Sequence, residues 1–390
     1  MPRTGGGFSG PLSAIAVTDI ALGVVVMVMA VSILRGFQAD ISGKVAGFGS
    51  HLTVTSFTTS DAYSDTPVAV DSTLLEALRS VPGVRHVQCF ATKGGMVKTE
   101  EQIYGIMFRG MGEGYDTSFY HSCLVEGRLP SETNDVLISS TISSKLGLKG
   151  GDKMRTYFWS GDSYRSRAFT VCGIYNTDLA EMDELYVVGD LRQVQRIEGW
   201  GDSLVGGYEL LVDDFDELQA TARRVAEVLP YDLQLRTIVE QHPALFSWLD
   251  LLNANIALIL TIMCLVSAVA IVSALLIMIF EKGTTIGLLK ALGASNAEVR
   301  RIFMLKASGL IATGVAIGDG VALALSLAQN HWRLLTLDPE SYSMAYVPVE
   351  IDPWVYVAVS MGTMAVCVAA LLLPAAYISK VSPAKTMRSE

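Results

Sequence analysis

Residues 281–303 read EKGTTIGLLKALGASNAEVRRIF, with oily sequence on both sides: Leu251–Phe280 carries no charged residue, and a largely apolar run from about Leu305 to Leu327 follows. Thr284 to Leu292 has the composition of a short helix, with Ile286 and Leu289, joined by Leu288 and Leu292, as its apolar face. Gly293 fits its stop, where a left-handed residue is commonly required. Ser295 then caps a second helix, with Glu298 three residues on to complete a capping box. That helix runs through Arg300 and Arg301 into the next apolar run, so the stretch is a helical hairpin with a protruding tip. A plain connecting loop, its basic residues held by lipid headgroups, is the alternative. Apolar side chains at an exposed tip fit a protein groove, which favours docking. The candidate contact residues are Thr284, Thr285, Ile286, Leu288, Leu289, Lys290, Leu292 and Gly293.

Composition says what flanks the hairpin. Of 390 residues, 51% are hydrophobic and 17% charged, with a mean hydropathy of +0.40; soluble domains carry about 25% charged residues. The net charge of −10 leaves no basic surface for nucleic acid. A membrane crossing needs about 20 mostly apolar residues, and four stretches supply them: Leu12–Leu34, Leu251–Phe280, Leu305–Leu327 and Trp354–Ile378. No small-x-small cleavage site follows the first, so it is expected to be an anchor rather than a signal peptide. The predicted partition is an N-terminus and first span over 1–35, an external domain with flanking stalks over 36–250, and a second span over 251–280. The coupling segment 281–303, a third span 304–328, a short external loop 329–353, a fourth span 354–378 and a tail 379–390 complete it.

Lys and Arg set the orientation, because the positive loops stay in the cytoplasm. Lys282, Lys290, Arg300, Arg301 and Lys306 follow the second span, and Lys380, Lys385 and Arg388 the fourth; between the third and fourth stands only Arg333, among Asp338, Glu340, Glu350 and Asp352. Both termini and the hairpin are therefore expected in the cytoplasm, and the large domain outside it. The expected fold class is a membrane protein of four transmembrane α-helices with a large α+β extracytoplasmic domain between helices 1 and 2.

Within that domain, HLTVT (His51–Thr55) and FTVCGIY (Phe169–Tyr175) read as strands, and STLLEALRSV (Ser72–Val81) and DELQATARRVAEVL (Asp216–Leu229) as helices. Two subdomains are expected, the second beginning after about Asp178. Phe37, Ile41 and Val45 recur at every fourth position, so the first helix is predicted to continue as a stalk, and His242–Ile256 to form a matching one. Catalytic patterns are absent: His51, His86, His121 and His242 are isolated, no HExxH, GxSxG or Walker A sequence occurs, and RGMGEGYD (Arg109–Asp116) and GLKGGDKM (Gly147–Met154) read as turns. No catalytic, cofactor or metal site is expected, and any ATP is used by a partner. Cys89, Cys123 and Cys172 leave one thiol over whichever pair forms. In the spans, Gly314 and Gly318 form a GxxxG packing face; Asp319 beside them is the candidate for a polar contact inside the bundle, and Asp19 sits near the cytoplasmic end.

The hairpin sequence resembles the cytoplasmic coupling segment of the type VII ABC-transporter permeases, the group of macrolide-efflux, cell-division and lipoprotein-releasing permeases. The order of one helix, a large domain and three helices matches as well, so the resemblance covers nearly the whole chain. IALGVVVMVMAVSILRGFQADISGKVAGFGSHLTV (Ile20–Val54) is similar to the lipoprotein-releasing permeases in its GF…GF…H run; NDVLISSTISSKLGLKGGDKM and AYISKVSPAKTMR are family-like but less specific. In place of the basic amphipathic segment usual before the first span, MPRTGGGFSGP stands here. The resemblance implies a bacterial inner-membrane subunit working with two ABC ATPase subunits and a second permease copy or homologue. It would transmit motion mechanically, extract lipoprotein from membrane lipid and pass it to a periplasmic carrier. Efflux or control of a cell-wall hydrolase is the alternative within the family. A membrane-anchored binding or signalling protein is the alternative outside it.

Overall fold

The computed structural model describes residues 9–57, 64–99, 102–160, 163–338 and 344–372. The expected tail 379–390, the end of the fourth span at 373–378 and residues 1–8 lie outside them. The chain divides into two compact units, one of residues 1–38, 247–336 and 346–390, the other of 39–246 and 337–345.

The helices are α1 (Ser9–Gly49), α2 (Ser72–Ser80), α3 (Ser118–Ser122), α4 (Ser140–Leu146), α5 (Ala180–Leu185), α6 (Leu191–Glu198), α7 (Leu218–Val228), α8 (Ile238–Gln241), α9 (Pro243–Glu281), α10 (Gly283–Ala291), α11 (Asn296–Trp332) and α12 (Pro353–Ala370). Four of them, α1, α9, α11 and α12, are long and apolar enough to cross a membrane. Three exceed the expected spans. With 41 residues in α1 and 39 in α9, at about 1.5 Å per residue each is near 60 Å long, about twice the hydrocarbon thickness. Both helices therefore run past the spans expected for them, over the residues expected to form stalks. Likewise α11 takes in the second arm of the hairpin.

The first unit is held by one apolar cluster to which every long helix contributes: Ile20, Val24 and Val28 of α1, Ile271 and Leu275 of α9, Ile311 and Val315 of α11, and Cys367 of α12. On α11 the buried positions Ile311, Gly314, Val315, Gly318, Ala322, Ser326 and Gln329 recur at helical spacing, giving the helix one inward face.

The second unit carries one ten-stranded sheet, not the two subdomains expected. Its strands are β1 (Leu52–Ser56), β3 (Val84–Lys98), β4 (Ile103–Met111), β5 (Leu124–Gly127), β6 (Asp135–Ser139), β7 (Lys153–Ser160), β8 (Ser163–Tyr175), β9 (Tyr186–Asp190), β11 (Gly207–Val212) and β12 (Leu233–Thr237); β2 (Val68–Ala69) and β10 (Leu204–Val205) pair separately. The path is β12-β1-β11-β3-β4-β9-β6-β8-β5, with β7 joined to β3 and β8. The length of β3 fuses the halves: its 15 residues pair with β11 at one end and with β4 and β7 at the other. Phe108, Phe158 and Phe169 fill the centre, with Phe108 stacked on Phe169 at 5.1 Å between ring centroids.

Candidate coupling site

Three breaks in the helical ladder shape the hairpin. The chain leaves α9 at Lys282, whose backbone stands at φ −95 and ψ 16, and α10 begins at once. Gly293 ends α10 at φ +100. Its N–H reaches the Lys290 carbonyl at 3.1 Å and that of Ala294 the Leu289 carbonyl at 3.0 Å, the paired bonds of a Schellman turn. Ser295 then opens α11 through a full capping box: its Oγ accepts from the Glu298 N–H, while the Glu298 carboxylate accepts from the Ser295 N–H at 2.8 Å and its hydroxyl at 3.0 Å. Cap, stop and restart are all local, and each was legible in the sequence.

The apolar face of α10 is not one face. Ile286 is fully buried and belongs to the bundle's own core, and Leu289 packs against that core. Leu288 and Leu292, by contrast, are 59% and 78% exposed. Ile286 is therefore corrected from a docking residue to an anchor of α10. The residues open to a partner are Thr285, Leu288, Leu292 and Gly293, with Lys290 half-buried beside them. The split follows from helix geometry: 286 and 289 lie three apart on the inner side, 288 and 292 four apart on the outer. The side chain of Thr284 lies outside the described residues.

Behind the hairpin, glycine lets α11 approach α1. A Cβ on Gly314 would stand 2.9 Å from Ile20, and one on Gly318 would stand 2.8 Å from the Ala21 carbonyl oxygen and from Val24 Cβ. The GxxxG face thus packs on α1. Asp319, one position on, accepts from the Ser360 hydroxyl of α12 at 2.8 and 2.7 Å. The expected stalk positions divide. In the first unit, Phe37 meets Trp248 of α9 edge to face at 6.3 Å, and Gln38 donates to Asn253 at 3.0 Å, so the two helices are joined side by side. Ile41 and Val45 are buried in the second unit.

That unit grips the end of α1 firmly, through contacts that no sequence pattern announced. Lys44 pairs with Asp178 at 3.4 Å; Gly47 lies so close to Phe119 that a Cβ would strike its ring; and Phe48 packs on Tyr120 and, at 4.9 Å, on Tyr186. Arg109 of β4 lies over the Phe48 ring at 5.3 Å. Its guanidinium pairs with the Glu209 carboxylate, which also accepts from Tyr115 at 2.8 Å and Gln88 at 3.1 Å. Burial lifts the Glu209 carboxyl above its usual range against the pull of Arg109. Burial draws Arg109 down, but Glu209 and Tyr115 outweigh it and hold the guanidinium above its ordinary value. Asp183 braces the neighbouring loop, accepting from the Thr177 amide at 3.1 Å and its hydroxyl at 2.9 Å, and burial raises it to about 6. Five partners for one helix end, drawn from β4, α3, β9 and the loop after β8, lie as far from it in sequence as Tyr186 from Phe48, so no local pattern betrays them.

Among the described residues no three His, Cys, Asp or Glu come together as a metal site, and all five cysteines are free thiols. A cleft of about 760 Å³ in the second unit is lined by Met111, Tyr115, Leu191 and Arg192 with the carboxylates Glu113, Glu132, Asp190 and Asp202. Residues 13–228 match the MacB-like periplasmic core domain and residues 241–383 the FtsX-like permease C-terminal domain. The chain belongs to this family of ABC-transporter permeases. The permease is 24% identical over 408 residues to the lipoprotein-releasing system transmembrane protein LolC of Neisseria meningitidis, covering 98% of this chain and 95% of that one. It is 22% identical over 394 residues to LolE of Haemophilus influenzae, covering 95% and 92%. Among solved structures, the periplasmic region of MacB from Actinobacillus actinomycetemcomitans is similar over 52% of this permease and 95% of that chain, at 13% identity and a TM-score of 0.35. The extracellular domain of the Gram-positive transporter YknZ is similar over 48% and 99%, at 15% identity and a TM-score of 0.34. By its four apolar helices, the two family matches and the likeness to LolC, the permease is a multi-pass inner-membrane protein with a periplasmic α+β domain.

Proposed function

We propose that this Lol-type permease is the membrane subunit of an ATP-driven lipoprotein-releasing transporter. The observation that carries the reading is similarity to LolC along 98% of the chain. Two ABC ATPase subunits dock on Leu288 and Leu292 at the cytoplasmic tip, and a second permease copy or homologue completes the membrane part. The permease binds no cofactor; ATP is used by the partner. Moving an acyl chain out of lipid costs about 0.8 kcal/mol per CH₂, so spontaneous release is negligible and energy must come from outside the membrane. Closure of the ATPases moves the hairpin, the long helices carry that motion to the periplasmic domain, and lipoprotein passes to a soluble periplasmic carrier.

Depleting the permease tests the cargo: outer-membrane lipoproteins should accumulate in the inner membrane, and unchanged sorting refutes the assignment. Docking is tested separately. Leu288→Asp with Leu292→Asp should abolish ATPase co-purification while the permease still accumulates in the membrane; retained ATPase places the contact elsewhere.

A further inference from the structure

A lipid-facing stripe on α11 continues past the end of the helix. Along one flank of its buried face, Ile317, Val321, Leu325 and Trp332 are exposed at helical spacing, a side that a bundle can show to hydrocarbon. Arg333 then caps the helix in the left-handed conformation, at φ 48. Beyond it Leu334 and Leu335 stay 67% and 56% exposed, and Trp332 before it is 67% exposed.

The turn that carries them is braced. Gln329, buried in the bundle, accepts from the Leu335 N–H at 3.0 Å and donates to the Leu335 carbonyl at 3.2 Å and the Val347 carbonyl at 3.0 Å. Asn330 donates to the Val349 carbonyl at 3.0 Å, and the Arg333 guanidinium lies 4.3 Å over the Tyr346 ring. The level of the turn is set by its neighbours. Glu350 donates its N–H to the Ser32 carbonyl at 3.1 Å, Arg35 pairs with Asp352 at 2.6 Å, and Trp354 in the first turn of α12 is exposed. An ion pair level with outward tryptophans marks the headgroup zone of a bilayer, where indole rings concentrate.

We propose that Trp332, Leu334 and Leu335 form an interfacial anchor sunk into the bilayer leaflet at the Arg35 end of the bundle, in contact with the glycerol and upper acyl region of membrane lipid. Continuity selects the partner: the apolar strip of α11 that faces hydrocarbon leads into these side chains with no polar interruption on that face. The anchor fixes the depth of α11 and α12, and through α11 that of the hairpin at its other end. It rests on the membrane placement of the four helices alone, so a different cargo would leave it intact.

The test places a nitroxide at Leu335→Cys in the full chain, with the five native cysteines replaced by serine, in phosphatidylethanolamine–phosphatidylglycerol vesicles. Collisions with oxygen should exceed those with a water-soluble nickel chelate several-fold. Nickel in excess would put the turn in water, and low values for both would put it under protein such as a second copy; either overturns the proposal. Where the cysteine-free chain fails to accumulate, the native chain is compared with Trp332→Phe in vesicles containing lipid brominated high on the acyl chain. The fluorescence lost in the variant should be a strongly quenched component, and an unquenched one overturns the proposal.

Discussion

Placing alanine at Gly318 and, separately, at Gly320 measures how tightly α1 and α11 are fitted, with everything else in the helix held constant. A Cβ at 318 would stand 2.8 Å from both the Ala21 carbonyl oxygen and Val24 Cβ, about 0.6 Å short of ordinary contact at 3.4 Å. Neither obstacle is the free end of a flexible side chain. The helices must part, and overpacking of this kind costs about 1–3 kcal/mol. At Gly320 a Cβ meets nothing within 4 Å, so that variant feels only the helix propensity of alanine, a gain of about 1 kcal/mol. Gly318→Ala has the same gain, so the difference between the two variants isolates the clash at about 1–3 kcal/mol. At roughly 2–4 °C per kcal/mol, Gly318→Ala should unfold several degrees below Gly320→Ala. Cys367, buried in the same bundle, reports unfolding through a thiol-reactive fluorogenic dye in a thermal ramp. Equal midpoints would mean that α11 does not rest on α1 through Gly318.

Other changes probe the remaining contacts. Ile286→Asp should prevent accumulation in the membrane, read by immunoblot, because it buries an unpaired charge in the core, whereas Leu292→Asp should accumulate normally. Ser360→Ala removes the hydroxyl that donates to Asp319 and should lower the thermal midpoint by the equivalent of about 0.6–1.7 kcal/mol. Glu209→Ala strands the Arg109 guanidinium without a counter-ion and should destabilise the periplasmic domain by about 3–5 kcal/mol, seen as rapid proteolysis, with Arg109→Met added in the same chain recovering part of the loss. Asp183 is raised in the fold to about 6 from 3.8, so the unfolded chain gives up this proton first. Its contribution is full below about 4 and is lost as pH rises to about 6, beyond which the dependence is flat. Asp183→Asn should remove that slope from thermal midpoints measured across the interval.

The sequence by itself determined the membrane class, four apolar helices, the order of helix, domain and three helices, and both ends of the hairpin. These are consequences of local chemistry. An apolar run that long has one way to satisfy its backbone in lipid, and a Ser-x-x-Glu cap or a stopping glycine acts within one turn. The GxxxG pair and the carboxylate at Asp319 were also visible as positions, though not their partners. Tertiary structure alone decided which side of α10 is open, because Ile286 and Leu288 are chemically alike and only the packing of α9 and α11 separates them. It also joined the expected subdomains into one sheet through β3, and built the socket of Phe119, Tyr120, Asp178, Tyr186 and Arg109 around the end of α1. Residues that distant in the chain meet only after the sheet has formed, and no period or spacing in the sequence records such a meeting.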